Sequence, residues 1–82
     1  MQRYLNLAGS SGVIAFAIER DAINVRFSDS WIYRYSYIQP GARDVEAMKV
    51  LALKGRGLAT YIAQHVRERY EKKYQASGAL VT

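Results

Sequence analysis

The stretch Ser28-Asp29-Ser30-Trp31-Ile32-Tyr33-Arg34-Tyr35-Ser36-Tyr37 decides the fold. From Trp31 to Tyr37 every second residue is aromatic, and Ile32, Arg34 and Ser36 fill the gaps. Alternation with period two marks a strand, and aromatic side chains suit a pleated, half-buried surface. Two orientations of Tyr33-Arg34-Tyr35 are open. Either the tyrosines are core, and Arg34 shares the open face with Asn24, Arg26 and Ser36. Or the tyrosines are surface platforms that stack on bases while the arginine meets phosphate, as in single-strand binders. A one-residue slip in register exchanges the two. The opposite face of the strand offers only Ile32 and Ile38 as apolar residues, which favours buried tyrosines.

On the N-terminal side, Ile23, Val25 and Phe27 alternate with Asn24 and Arg26, which predicts a second strand. Before it, Val13 to Arg20 reads as another, with Ile14, Phe16 and Ile18 on one side and Val13, Ala15, Ala17 and Glu19 on the other. Residues 1–12 end in Gly9-Ser10-Ser11-Gly12 and read as a flexible lead-in. Short links between three strands predict an antiparallel meander.

On the C-terminal side, Gln39-Pro40-Gly41 ends the sheet, because proline cannot donate to a ladder and disfavours helix before it. Arg43 to Leu53 predicts a helix with Val45, Met48, Leu51 and Ala52 on one stripe, and Gly55 stops it. A second helix is predicted from Leu58 to Tyr70, its stripe being Leu58, Tyr61, Ile62, His65, Val66 and Tyr70. Gln75 to Thr82 reads as a frayed tail. The expected fold is α+β: a three-stranded antiparallel β-meander with two C-terminal helices packed on one face, in the order β-β-β-α-α. One domain spans residues 1–82, with its core from about residue 10 to residue 74.

The 82-residue chain lacks cysteine, so neither disulfides nor thiolate-metal sites can brace so small a core. No stretch is apolar enough to span a membrane or to serve as a leader, and the expected compartment is the cytoplasm. The net charge of +5 is uneven. Acids and bases balance up to Met48, whereas Lys49, Lys54, Arg56, Arg67, Arg69, Lys72 and Lys73 face only Glu68 and Glu71 in the remainder. An excess of this kind fits a phosphate-bearing partner, and equally a solvated helix face.

A catalytic role is not expected. The single histidine, His65, sits on the predicted apolar stripe and reads as a buried or boundary residue. The acids are scattered, and no second histidine or cysteine completes a metal set, so no catalytic residue, metal or cofactor is assigned. Lys54-Gly55-Arg56-Gly57 precedes the second helix. Its glycines could present free N–H groups to a small anion between two cations, or simply cap a helix–helix turn.

Taken together, these residues resemble the KTSC domain, a module named for its place at the C-terminus of some lysyl-tRNA synthetases. Ser11-Gly12-Val13-Ile14 resembles the family's serine-bearing start, Val25-Arg26-Phe27 its second strand and Tyr33-Arg34-Tyr35 its central Tyr-x-Tyr. Pro40, Lys54-Gly55-Arg56-Gly57 and Val66-Arg67 resemble its proline, its late glycine turn and the pair on its last helix. Ile18 and Ala59-Thr60 depart from positions where many members carry tyrosine and asparagine. The resemblance implies the meander-and-helices fold and, from the synthetase context, RNA as a ligand.

Three functions are therefore in view. The first is a non-catalytic RNA- or nucleotide-binding module. Its phosphate contacts would be Lys54, Gly55, Arg56, Gly57, Arg67, Arg34 and Arg26, joined by Lys72 and Lys73, and its stacking residues Tyr33, Tyr35 and Tyr61. The second is a protein-interaction or homodimer module that uses the aromatic strand or an unpaired sheet edge. The third is a pocket for a small anion around Arg56.

Overall fold

Alternation around Trp31–Ser36 sets the register of the whole sheet. In the computed structural model, which describes residues 1–9 and 11–75, this segment is strand β4. It follows β1 (Gln2–Arg3), β2 (Val13–Glu19) and β3 (Ala22–Phe27), and precedes β5 (Lys72–Gln75). Five strands lie in the order β1-β2-β3-β4-β5, every neighbouring pair antiparallel. Helix α1 (Ala42–Lys54) and the short helix α2 (Leu58–Tyr61) are inserted between β4 and β5. The α+β class holds, but the three-stranded meander ending in two helices does not. Each end of the chain adds a strand to the meander. Ser10 and residues 76–82, the bulk of the expected tail, lie outside the described residues.

At the N-terminus, the expected flexible lead-in pairs with β2 and buries Tyr4 to 3% exposure. The Tyr4 N–H donates to the Ile14 carbonyl, and its hydroxyl accepts from the Leu58 N–H at 3.3 Å. At the other end, the predicted second helix stops early. After Tyr61 the backbone widens into a π-helical turn, Ile62–Val66, closed by the Arg67 N–H on the Ile62 carbonyl. Arg67 then takes φ 54°, in the left-handed region that a side chain opposes. That reversal sends Tyr70 back under the sheet, and the Glu71 N–H donates to the Arg34 carbonyl as β5 begins.

One face of the sheet carries the core. Ile23 pairs with Tyr35 and Val25 with Tyr33, so Tyr33 and Tyr35 point at the helices along with Phe16. Val45, Met48 and Ala52 of α1, Leu58 of α2, and Ile62 and Val66 complete this layer. Each large apolar side chain removed from water here contributes about 1.5–3 kcal/mol. A register shift between Val13 and Ala15 changes the expected phase of β2: Val13 turns into the core and Ile14 is exposed. His65 also departs from expectation, because the wider π turn moves it off the buried stripe into solvent.

The other sheet face is uncovered by helix. Ala15, Ala17, Ala22, Asn24, Arg26, Ile32, Arg34, Ser36, Lys72 and Tyr74 lie there by register. At its centre Arg34 bridges two strands' carboxylates, donating from Nη1 to Glu19 at 2.8 Å and from Nε to Glu71 at 3.2 Å. Asn24 donates to the same Glu19 oxygen at 2.7 Å. Hydrogen bonds from Arg34 and then Asn24 hold the Glu19 carboxyl below its ordinary 4.5.

Gly55 ends α1 in a left-handed turn at φ 76°, its N–H shared between the Leu51 and Ala52 carbonyls. A Cβ there would lie 2.6 Å from Leu5 Cβ. Gly55→Ala combines a disfavoured φ with a clash against the N-terminal segment, and should cost roughly 2–3 kcal/mol in a thermal or urea melt. A loss below about 0.5 kcal/mol would mean that residues 5–7 do not pack on this turn. The Glu19 network has a pH signature. A carboxyl whose folded pKa lies below its unfolded value adds stability that is complete above 4.5 and disappears as pH falls through the folded pKa. Acid melts of the wild type should lose stability below 4.5, and Glu19→Gln should flatten that part of the curve.

Candidate functional site

The reversal at Arg67 opens a cleft of about 260 Å³ between the π-helical turn and the inner face of β4 and β5. Its floor is aromatic because β4 alternates. Tyr33 and Tyr35 stand two residues apart on one face, their rings stacked with centroids 6.4 Å apart and 17° between planes. Tyr70 meets both edge-on, at 4.9 Å and 6.4 Å, and Phe27 meets Tyr33 edge-on at 5.2 Å. Such pairs are favoured by the ring quadrupole and hold the rings in fixed orientations. Tyr35 is almost fully buried, and burial, helped by the neighbouring Tyr33 and Tyr70, pushes its hydroxyl pKa well up, so this group stays a neutral phenol.

The rim carries charge. Lys73 lies opposite Tyr33 in the β4–β5 ladder, with its Nζ 5.0 Å from the Trp31 ring centre and 5.9 Å from that of Tyr33. Cation–π attraction therefore parks this ammonium at the mouth. Arg67 joins it from the end of the π turn. Neither cation has an ion-pair partner among the described residues. Asp29 and Glu68 line the same cleft, so its rim presents hydrogen-bond acceptors beside the two cations.

The residues singled out in the sequence fall in four separate places. Tyr33, Tyr35 and Arg67 meet in the cleft. Arg34 and Arg26 lie on the opposite sheet face, where Arg34 is engaged by Glu19 and Glu71. Tyr61 is structural: its hydroxyl donates to Asp44 Oδ1 at 2.6 Å, and that bond raises its pKa. Arg69 reaches both Asp44 and the His65 carbonyl, bracing α1 against the second helical segment.

Lys54 and Arg56 are exposed at the turn between the helices. Part of the backbone there is engaged within the fold. Gly57 caps α2 at φ 83°, the Gly55 carbonyl accepts from the Leu7 N–H, and the Leu58 N–H is taken by Tyr4. Tyr70, Phe27 and Trp31 were not singled out as site residues, since a cleft built from three elements leaves no local pattern in any of them. Lys72-Lys73-Tyr74-Gln75 does alternate across the sheet, but four polar residues are too few to read as a strand.

Among the described residues no group of three histidine, cysteine or carboxylate side chains could hold a metal ion, and no helix is long and apolar enough to cross a membrane. The arrangement suits reversible binding of a flat ring, with cations and acceptors at its edge. Comparison with family models, with curated proteins and with solved structures returns no significant match, so the cleft must be read from its own chemistry.

Proposed function

We propose that the protein is a non-catalytic module that binds a nucleotide or a single-stranded RNA segment, with one base in the aromatic cleft. The observation that carries this reading is the juxtaposition of Tyr33, Tyr35 and Tyr70 with Arg67 and Lys73 around one opening. Aromatic rings offer a stacking surface worth about 1–3 kcal/mol per base. Arg67 and Lys73 would take the phosphate, while Asp29 and Glu68 can accept from exocyclic amines of the base. The mixed rim suits one nucleotide better than a long polyanion.

Fluorescence titration with adenosine and uridine monophosphates and with short RNA oligomers tests the reading. Affinity should fall with salt along a shallow slope, near one or two phosphates engaged. Lys73→Ala should weaken binding roughly tenfold. Arg67→Gly should weaken it similarly while raising stability by up to about 1 kcal/mol, because glycine accepts the left-handed backbone. Binding that ignores salt and both substitutions would remove the proposal.

One observation favours a second reading, self-association. Leu5, Leu7 and Leu53 are each more than half exposed, and Leu5 and Leu7 both meet the Gly55 turn two residues after Leu53. A homodimer through this patch should appear in sedimentation as a concentration-dependent mass that Leu7→Glu returns to one chain. A single-chain mass at every concentration would exclude it.

A further inference from the structure

We propose that the aromatic cleft selects guanine, with the Tyr35 hydroxyl reading the base from the floor and Glu68 reading it from the rim. The inference rests on the nucleotide reading of the cleft and names the base. Depth orders the lining. Arg67, Glu68 and Lys73 are exposed at the mouth, Tyr33 and Tyr70 are half-buried, and Tyr35 is 1% exposed at the bottom.

Tyr35 supplies the decisive detail. The hydroxyls of Tyr4, Tyr37 and Tyr61 each have a hydrogen-bond partner within the fold. Among the described residues that of Tyr35 has none, although the side chain is almost wholly desolvated. Its oxygen is not sealed, as the Arg26 Nε is, and it keeps contact with the cleft. A desolvated hydroxyl left unpaired costs stability. Phenylalanine would set the same ring against Tyr33 and Tyr70 without that cost. Burial also keeps the group a neutral phenol, with a proton to donate.

The charges set the orientation of the base. Arg67 and Lys73 hold the phosphate at the mouth, so the edge farthest from the sugar goes to the floor. Guanine and uracil carry a carbonyl on that edge, whereas adenine and cytosine carry an amine. A donor at the floor favours the carbonyl. The rim separates the remaining two. Guanine has its second amine-bearing edge on the sugar side, where a carboxylate accepts from it, but uracil brings another carbonyl there, which a carboxylate repels. Glu68 is free for this contact. Glu19, Glu46 and Glu71 are all in ion pairs, and among the described residues Glu68 has no such partner.

The ligand is a guanine nucleotide, free or within a strand. Calorimetric titration of the full chain with guanosine, inosine, adenosine and uridine monophosphates tests the assignment. Guanosine monophosphate should bind about tenfold more tightly than adenosine monophosphate, the difference that one hydrogen bond makes. The inosine nucleotide keeps the carbonyl and lacks the amine, so it should fall between them. Tyr35→Phe should bring the guanosine nucleotide down to the adenosine level, leave the adenosine nucleotide unchanged, and melt at the same temperature or higher. Glu68→Ala should bring guanosine down to the inosine level. An oligouridylate with one guanine that binds tenfold more tightly than both guanosine monophosphate and its all-uridine counterpart identifies a strand as the source, and affinity no better than the mononucleotide identifies the free nucleotide. Adenosine bound as tightly as guanosine, with affinity that still falls with salt, overturns the selection and leaves the cleft an unselective nucleotide site. No binding of any nucleotide removes both readings. A lower melting temperature for Tyr35→Phe would show that the hydroxyl serves the fold, and would overturn its part in recognition.

Discussion

Strand β4 is held from both faces and along both edges, and the rest of the structure depends on that grip. Its edges pair with β3 and β5. Its inner face meets Tyr70 through Tyr33 and Tyr35. Its outer face is tied by Arg34 to Glu19 at the end of β2 and to Glu71 at the start of β5. These contacts are coupled. Tyr70 and Glu71 are consecutive residues that land on opposite faces of the same strand, so the aromatic and ionic contacts fix the entry of β5 together. The exposed ion pairs add little by themselves, and the buried ring contacts supply the stabilisation while the charges select the register.

This arrangement explains why the expected three strands became five. A three-stranded sheet leaves two raw edges, and unpaired ladders invite association with other chains. Here each terminus supplies a short, charged strand to one edge. Arg3 at one edge and Lys72 and Lys73 at the other are the side chains natural sheets use to discourage further pairing.

What could be read in the sequence was whatever left a period. β2, β3, β4 and α1 did so, with Pro40 and Gly55 punctuating them, and the phase of Tyr33 and Tyr35 followed from the poverty of apolar residues opposite. β1 is two polar residues held by backbone pairing, and β5 is four polar residues that alternate only across an edge. Neither can be told from loop or helix by pattern. Ile62 and Val66 are four apart, as a regular helix requires, so nothing marked the π turn; its consequences, an exposed His65 and a left-handed Arg67, were invisible for the same reason. The bulge after Val13 reversed an apolar face because Val13 and Ile14 are equally suited to burial. Tyr70 escaped as a site residue because only the turn at Arg67 brings it to Tyr33, whereas Lys73 stood among the late cations expected to meet phosphate.

The arginines divide by how the fold treats them. Arg34 and Arg69 have carboxylate partners, and each joins elements distant in sequence. Among the described residues Arg67 and Arg26 have none. One holds a backbone conformation that its side chain opposes, and the other buries a donor without an acceptor. Both features lower stability, and in a domain this small a loss of one or two kcal/mol is a sizeable fraction of the total. Glycine at the first position or an aliphatic residue at the second would remove the cost with no disturbance to the packing described.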